Sequence, residues 1–327
     1  MPVKRIIGGF DPLARLLILA LVFATLVPVG EDWFQTATLI SNSGIFVLFL
    51  LNGLRLPRTD VLEGLRNGRF LVPLTLWCFL AMGLAGYVLS RLSQGWLSPE
   101  MALGLLFLGL LPSTVQSATA YSSLAGGNVA ASVVAAAVLN ILGVFLTAPL
   151  LALVAGTGSV SFDLDALRRI ATILILPFAI GQLLQARLGD LIRERRHIVN
   201  WLDRGVIALT VYVAFSSAVQ QGLWTSMPLP AWAAMLGLVA VFLTFGFLGS
   251  WLLGGALKLD RATRIAFLFA GAQKSLAIGA PLAAVLFPPS VAGLLLVPGL
   301  IYHLTQMLVS ARIAATLNPP TVSRPAQ

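Results

Sequence analysis

The 327-residue chain is 58% hydrophobic and only 10% charged, with a mean hydropathy of +0.94. A water-soluble domain of this length normally carries far more polar surface, so the composition points to a polytopic membrane protein. Its 21 Lys and Arg against 12 Asp and Glu leave a net charge of +9, which basic loops against anionic lipid account for without a nucleic-acid partner.

Apolar segments long enough to cross the hydrocarbon recur along the chain and predict ten spans: 13–29, 34–54, 70–89, 101–124, 129–155, 170–184, 205–219, 231–257, 265–286 and 291–311. A stretch such as 34–54 is apolar on every side, whereas barrel strands alternate, so the spans are helices. Lys4 and Arg5 before an apolar run imitate a secretory signal, but Glu31-Asp32 offers no small-residue cleavage site. Residues 13–29 are therefore read as a retained first helix. With the amino terminus inside, Lys4, Arg5, Arg15, Arg55, Arg58, Arg66, Arg69, Arg187, Arg193, Arg195, Arg196, Arg204, Lys258, Arg261, Arg264, Arg312 and Arg324 fall on the cytoplasmic side. Only Arg91, Arg168 and Arg169 fall outside. That asymmetry predicts an even number of spans with both termini cytoplasmic.

The third span holds the single cysteine, Cys78, so the chain can form neither an intramolecular disulfide nor a thiolate metal site. Tyr302 and His303 lie in the tenth span, where His303 serves either packing and one hydrogen bond or a functional contact. No phosphate-cradling glycine loop, HExxH pair or nucleophile elbow is present, and every carboxylate lies in a polar connection. Without general bases inside the membrane the chain is not expected to be an enzyme, and no cofactor is implied.

Two groups of five spans, residues 1–155 and 170–317, flank the polar connection 156–169, and a short Pro-containing stretch, 318–327, reads as a disordered cytoplasmic tail. In the first group Pro112-Ser113-Thr114-Val115-Gln116-Ser117 interrupts the fourth span, and Gly126-Gly127-Asn128 leads into the fifth. In the second, Gly271-Ala272-Gln273-Lys274-Ser275 interrupts the ninth, and Pro288-Pro289-Ser290 leads into the tenth. An odd-numbered unit repeated must insert upside down, and interruptions at matching places point to a transporter's midplane site. An interrupted helix exposes amides at one half-helix, suited to an anion, and carbonyls at the other, suited to a small cation. Ser113, Thr114, Gln116, Ser117, Thr119, Gln273 and Ser275 supply polar lining, unless Pro112 merely kinks its helix.

Apart from Arg15 at the edge of the first span, Lys274 is the one formal charge in the long apolar stretches, and no acidic partner lies nearby in sequence. Such a charge is costly to keep and marks a substrate or ion pathway by default. The alternative is a structural lysine satisfied by carbonyls or water, or carried neutral.

The motifs Leu111-Pro112-Ser113-Thr114-Val115-Gln116-Ser117, Leu124-Ala125-Gly126-Gly127-Asn128-Val129-Ala130-Ala131 and Gly271-Ala272-Gln273-Lys274-Ser275 resemble, in that order, those of the bile acid:sodium symporter family. Within it the chain is similar to the bacterial subgroup related to the atypical seventh vertebrate member of solute-carrier family ten. The resemblance implies an all-α fold of ten helices in two inverted five-helix repeats. A core domain of spans three to five and eight to ten would sit beside a panel of spans one, two, six and seven, with the broken fourth and ninth helices crossing. The breaks, the lone charge and this resemblance together give a candidate substrate and ion set of Lys274, Gln273, Ser275, Ser113, Thr114, Gln116, Ser117, Thr119, Asn128, Ser132 and His303, of which the resemblance carries over Gln273, Ser117 and Ser132, the sodium ligands if sodium binds. Phe269 stands where the family's shared carboxylate belongs, and Lys274 where an asparagine is usual. A fixed ammonium can take the space and charge of a missing sodium.

The expected function is secondary active transport of a small organic anion by alternating access, with sodium or a proton as coupling ion and Lys274 as cation substitute or proton carrier. The alternative is a non-transporting membrane regulator of ion homeostasis. Substrate identity and oligomeric state are not encoded in these patterns, since small-residue runs such as Ala135-Ala136-Ala137 serve packing within or between chains equally.

Overall fold

A computed structural model describes residues 11–55, 68–155 and 168–318. The expectations for Lys4, Arg5, Arg58, Arg66 and Arg324, for most of the connection 156–169 and for the tail beyond Asn318 lie outside the described residues. Among the described residues the chain is helical almost throughout and contains no strand.

The first helices are α1 (Pro12–Leu26) and α2 (Glu31–Arg55). Glu31 and Asp32 occupy the first turn of α2 and Arg55 its last, signs that complement the helix dipole. Helix α3 (Gly68–Leu92) contains one π-helical turn, Trp77–Ala81. Then come α4 (Pro99–Leu110), α5 (Gln116–Leu124) and α6 (Val129–Ala155). Helix α7 (Ile170–Glu194) opens on a second π-helical turn, Ile170–Ile175, and is followed by α8 (Arg196–Gln220) and α9 (Leu229–Ala256). The last three are α10 (Arg261–Ala272), α11 (Leu276–Leu286) and α12 (Pro289–Leu317).

Among the described residues eight helical stretches are long and apolar enough to cross a membrane: α2, α3, α6, α7, α8, α9, α10 taken with α11, and α12. The apolar helices α1 and α4, of 15 and 12 residues, are shorter. The short spans predicted at 170–184 and 205–219 each belong to a 25-residue helix, because strong helix formers such as Gln185, Arg187 and Arg193 continue the coil past the apolar run.

Helices α1, α2, α7 and α8 pack on one another, and α3 to α6 pack with α9 to α12. Close approach of α2 and α7 depends on glycine: a Cβ on Gly53 would lie 2.3 Å from the Phe178 carbonyl oxygen, and one on Gly181 2.2 Å from that of Leu50. The two groups meet along α8, where Gly293 of α12 lies so close that a Cβ there would come within 2.2 Å of the Ala214 carbonyl oxygen. Helices α10 and α11 are buried almost completely, whereas α7 turns Leu176, Leu183 and Leu191 outward, as a lipid-facing helix does.

Candidate functional site

The first helical interruption is made by Pro112, whose ring cannot sit in a continuing helix and which drives the residue before it into extended backbone. Leu111 accordingly has φ −68° and ψ 146°. Stopping a helix leaves carbonyl oxygens without their usual donors, and inside a membrane each needs another. Every carbonyl from Gly109 to Ser113 has one. Lys274 Nζ donates to Gly109 and Leu111, Thr147 Oγ1 to Leu110, the Ser275 amide to Pro112, and Asn140 Nδ2 to Ser113.

The second interruption, Gln273 to Ser275, contains no proline, and side chains stabilise its extended backbone instead. Gln306 of α12 accepts from the Lys274 amide through Oε1 at 2.9 Å and donates to the Lys274 carbonyl through Nε2 at 3.0 Å. It pairs with that peptide as a neighbouring strand would. Tyr302 Oη donates to the Ala272 carbonyl at 2.6 Å. Thr114 and Ser117 both donate to Gln273 Oε1, while Gln273 Nε2 donates to Ser310 Oγ.

Lys274 is 1% exposed, and its Nζ lies 2.9, 2.8 and 2.8 Å from the carbonyl oxygens of Cys78, Gly109 and Leu111. A neutral amine has two N–H bonds and a lone pair, and the lone pair would face one of these oxygens. Three acceptors at hydrogen-bond distance require the ammonium. Two of them close the carboxyl-terminal end of α4, where the helix dipole favours a cation. The third comes from the π-helical turn of α3. No carboxylate pairs with Lys274 among the described residues, and Phe269 is a buried ring stacked on Tyr121.

The structure thus brings Lys274, Gln273, Ser275, Thr114 and Ser117 together. Of the remaining candidates, Ser113 is buried with its hydroxyl unpartnered, Gln116 accepts from Arg204, and Thr119 has an unpartnered buried hydroxyl. Asn128 and Ser132 are engaged elsewhere. Asn128 is exposed and caps α6 by accepting from the Ala131 amide, and Ser132 accepts from Ser122. Sequence reasoning missed Gln306 and Ser310. Their signal was a polar residue one and two turns beyond His303 within an apolar span.

A cavity of about 410 Å³ lies between the two helix groups, a size suited to a small-molecule site. Val115, Gln116 and Ser117 line it beside Ser275, Ala277 and Ile278. These are the amino-terminal turns of α5 and α11; Thr114 Oγ1 accepts from the Ala118 amide in the first turn of α5, and α11 has no side-chain cap. His303 also lines the cavity. Gln306 Nε2 spends one hydrogen on the Lys274 carbonyl and the other on His303 Nδ1, at 3.0 Å. His303 Nε2 has no partner among the described residues. Asp11, Arg55, Asp203 and Arg204 also line the cavity. Burial raises the Asp11 carboxyl above its ordinary range against the pull of the Arg204 and Arg15 guanidiniums.

A sequence profile of the SBF-like CPA transporter family matches residues 11–319. The chain belongs to that family. It is 36% identical over 308 residues to the uncharacterized protein PA2026 of Pseudomonas aeruginosa, covering 93% of this chain and 92% of that protein. It is 32% identical to the putative symporter YfeH of Escherichia coli, covering 97% and 96%, and 24% identical to the mouse sodium/bile acid cotransporter 7, covering 87% and 85%. The family membership bears out the resemblance read from the motifs, and the chain is an integral membrane protein of a transporter family, not an enzyme.

Proposed function

We propose that this protein is a secondary active transporter of a small organic anion and that Lys274 serves as its built-in cation. Ten helices in two inverted repeats, with both termini cytoplasmic in a bacterial inner membrane, would form a core of α3 to α6 and α9 to α12 and a panel of α1, α2, α7 and α8. The interrupted α4–α5 and α10–α11 pairs would cross at the midplane. The observation that carries this reading is the Lys274 ammonium held by three carbonyls behind two helix starts that line one cavity. An anion at those helix starts gains from their amides and dipoles and from a positive charge that never leaves the protein.

This geometry favours a fixed charge over a proton carrier. The ammonium is sealed from the cavity, and its three hydrogens are all used. A sodium ion at the same carbonyls would compete with it. The Thr114, Ser117 and Gln273 oxygens form the one other cation-like cluster among the candidates, and it contains no carboxylate to attract sodium. The test is uptake into proteoliposomes of labelled organic anions chosen by thermal-shift screening. Uptake should persist when sodium is replaced by choline and should be driven by exchange against an anion loaded inside the vesicles, not by an imposed pH gradient. Strict dependence on sodium would remove Lys274 from the role of cation substitute.

A further inference from the structure

Helix α7 runs on past its apolar stretch at 170–184 to Glu194, and after a single residue, Arg195 at φ −95° and ψ 21°, α8 begins with Arg196. The inner side of this elbow is packed: Leu184 and Ile192 of α7 and Val199 of α8 lie on Leu51 and Leu54 of α2. Its outer side is apolar as well. Leu188, Leu191, Ile198, Trp201 and Leu202 are all exposed, Ile198 by 64%, and the last three share one face of α8 at the spacing of one turn.

Three exposed arginines, Arg187, Arg195 and Arg196, stand among them, and their guanidiniums have no hydrogen bond or ion pair among the described residues. Of the nearby acids, Asp190 pairs with Arg193 and Asp203 with Arg55, which leaves Glu194 alone against three unpaired cations. Such a surface suits neither pure phase. Water would meet the row of bare Leu, Ile and Trp side chains, and hydrocarbon would strip the arginines of their hydration. Both demands are met at the headgroup boundary, where Trp is favoured and an Arg stem lies along acyl chains with its charged fork on a phosphate. That fork fits a phosphate through two parallel hydrogen bonds. The excess of unpaired positive charge then distinguishes an anionic lipid from a zwitterionic one.

We propose that the α7–α8 elbow is a docking site for anionic phospholipid, with Arg187, Arg195 and Arg196 on the headgroup phosphates and Leu188, Leu191, Ile198, Trp201 and Leu202 along the acyl chains. The occupant is a lipid and not a soluble phosphate, because a free phosphate would leave the apolar side chains around the arginines uncovered. The site is independent of the cavity and of what the cavity carries.

The test titrates the full chain in a non-ionic detergent with phosphatidylglycerol or phosphatidylcholine of identical acyl chains and counts bound lipid by native mass spectrometry. Half-saturation should come at about ten-fold lower phosphatidylglycerol than phosphatidylcholine, and glycerol 3-phosphate should not displace the bound lipid. In the triple variant Arg187→Gln/Arg195→Gln/Arg196→Gln the two lipids should bind within about two-fold of each other. The control variant Arg169→Gln/Lys258→Gln/Arg312→Gln removes the same charge from exposed positions elsewhere and should keep the native preference. All six side chains are exposed, so both variants should melt as the native chain does without added lipid. Equal binding of the two lipids by the native chain, or a preference that survives the triple variant, overturns the proposal. So does an equal loss in the control variant, which would mean attraction to overall charge, or displacement by glycerol 3-phosphate, which would mean a site for phosphate alone.

Discussion

Lys274 shows how one residue can be both costly and indispensable. Its ammonium replaces hydration with three carbonyls, and those carbonyls are the ones that the stop at Pro112 and the π-helical turn in α3 leave without other donors. Removing the amine strands three oxygens in an apolar interior. Lys274→Met, which keeps the volume and deletes the charge, should therefore destabilise the protein by about 2 kcal/mol or more, read as a lowered melting temperature in nanodiscs. Lys274→Ala leaves a void lined by the same oxygens and should be partly restored by butylammonium or another slender alkylammonium, but not by a quaternary ammonium of equal charge. Restoration by both would mean that bulk charge, not hydrogen bonding at the carbonyls, is what the site requires. Gln306 completes the arrangement by pairing with the Lys274 peptide, and Gln306→Leu should lower the melting temperature without altering the choice between anions.

At the level of elements, the two interruptions are held by different means. The first has a proline, and the second has an amide side chain that imitates a backbone partner. Pro112 also packs against α6, where a Cβ on Gly143 would lie 2.5 Å from the Pro112 Cγ. Because five carbonyls around Pro112 have their own donors, Pro112→Ala should leave the interruption in place and cost only about 1 kcal/mol. Gly143→Val should do much worse, pushing α6 from the proline ring, and thermal unfolding of the two variants separates ring packing from backbone restriction. This difference explains what the sequence could disclose. Runs of apolar residues locate the long helices because hydrocarbon thickness sets their length, and a proline in such a run advertises its own effect. The π-helical turn at Trp77–Ala81 has no residue signature, since it arises from packing against α9 and α10. The role of Gln306 depends on a backbone 32 residues away in sequence, and Arg55, Asp203 and Arg204 look like ordinary solvated span ends until α2 and α8 are laid side by side. Asn128 and Ser132 illustrate the opposite case, motif residues that the packing engages away from Lys274.

For the whole molecule, the cavity and the tight α8–α12 contact are two aspects of one arrangement. The helix groups separate toward the end lined by Arg55 and Arg204 and close where Gly293 meets Ala214 and Ala218. On the alternating-access reading proposed above, the site would face one side in this state, and reaching the other would require the Gly293 contact to part while the Arg204–Gln116 bridge closes further. Interfaces built on glycine part poorly by degrees, because any added atom meets backbone. Gly293→Val should thus favour the opposite state. The native chain offers a clean reporter background, since its single cysteine, Cys78, is fully buried. A cysteine introduced by Val213→Cys, at a buried position of α8 on the same side as Ala214, should react slowly with a membrane-impermeant maleimide. Adding Gly293→Val should raise that rate by about ten-fold, the change expected when a minor state becomes an appreciable fraction of the population. An unchanged rate, with the protein still folded by its melting curve, would show that the Gly293 contact is not what holds that end shut.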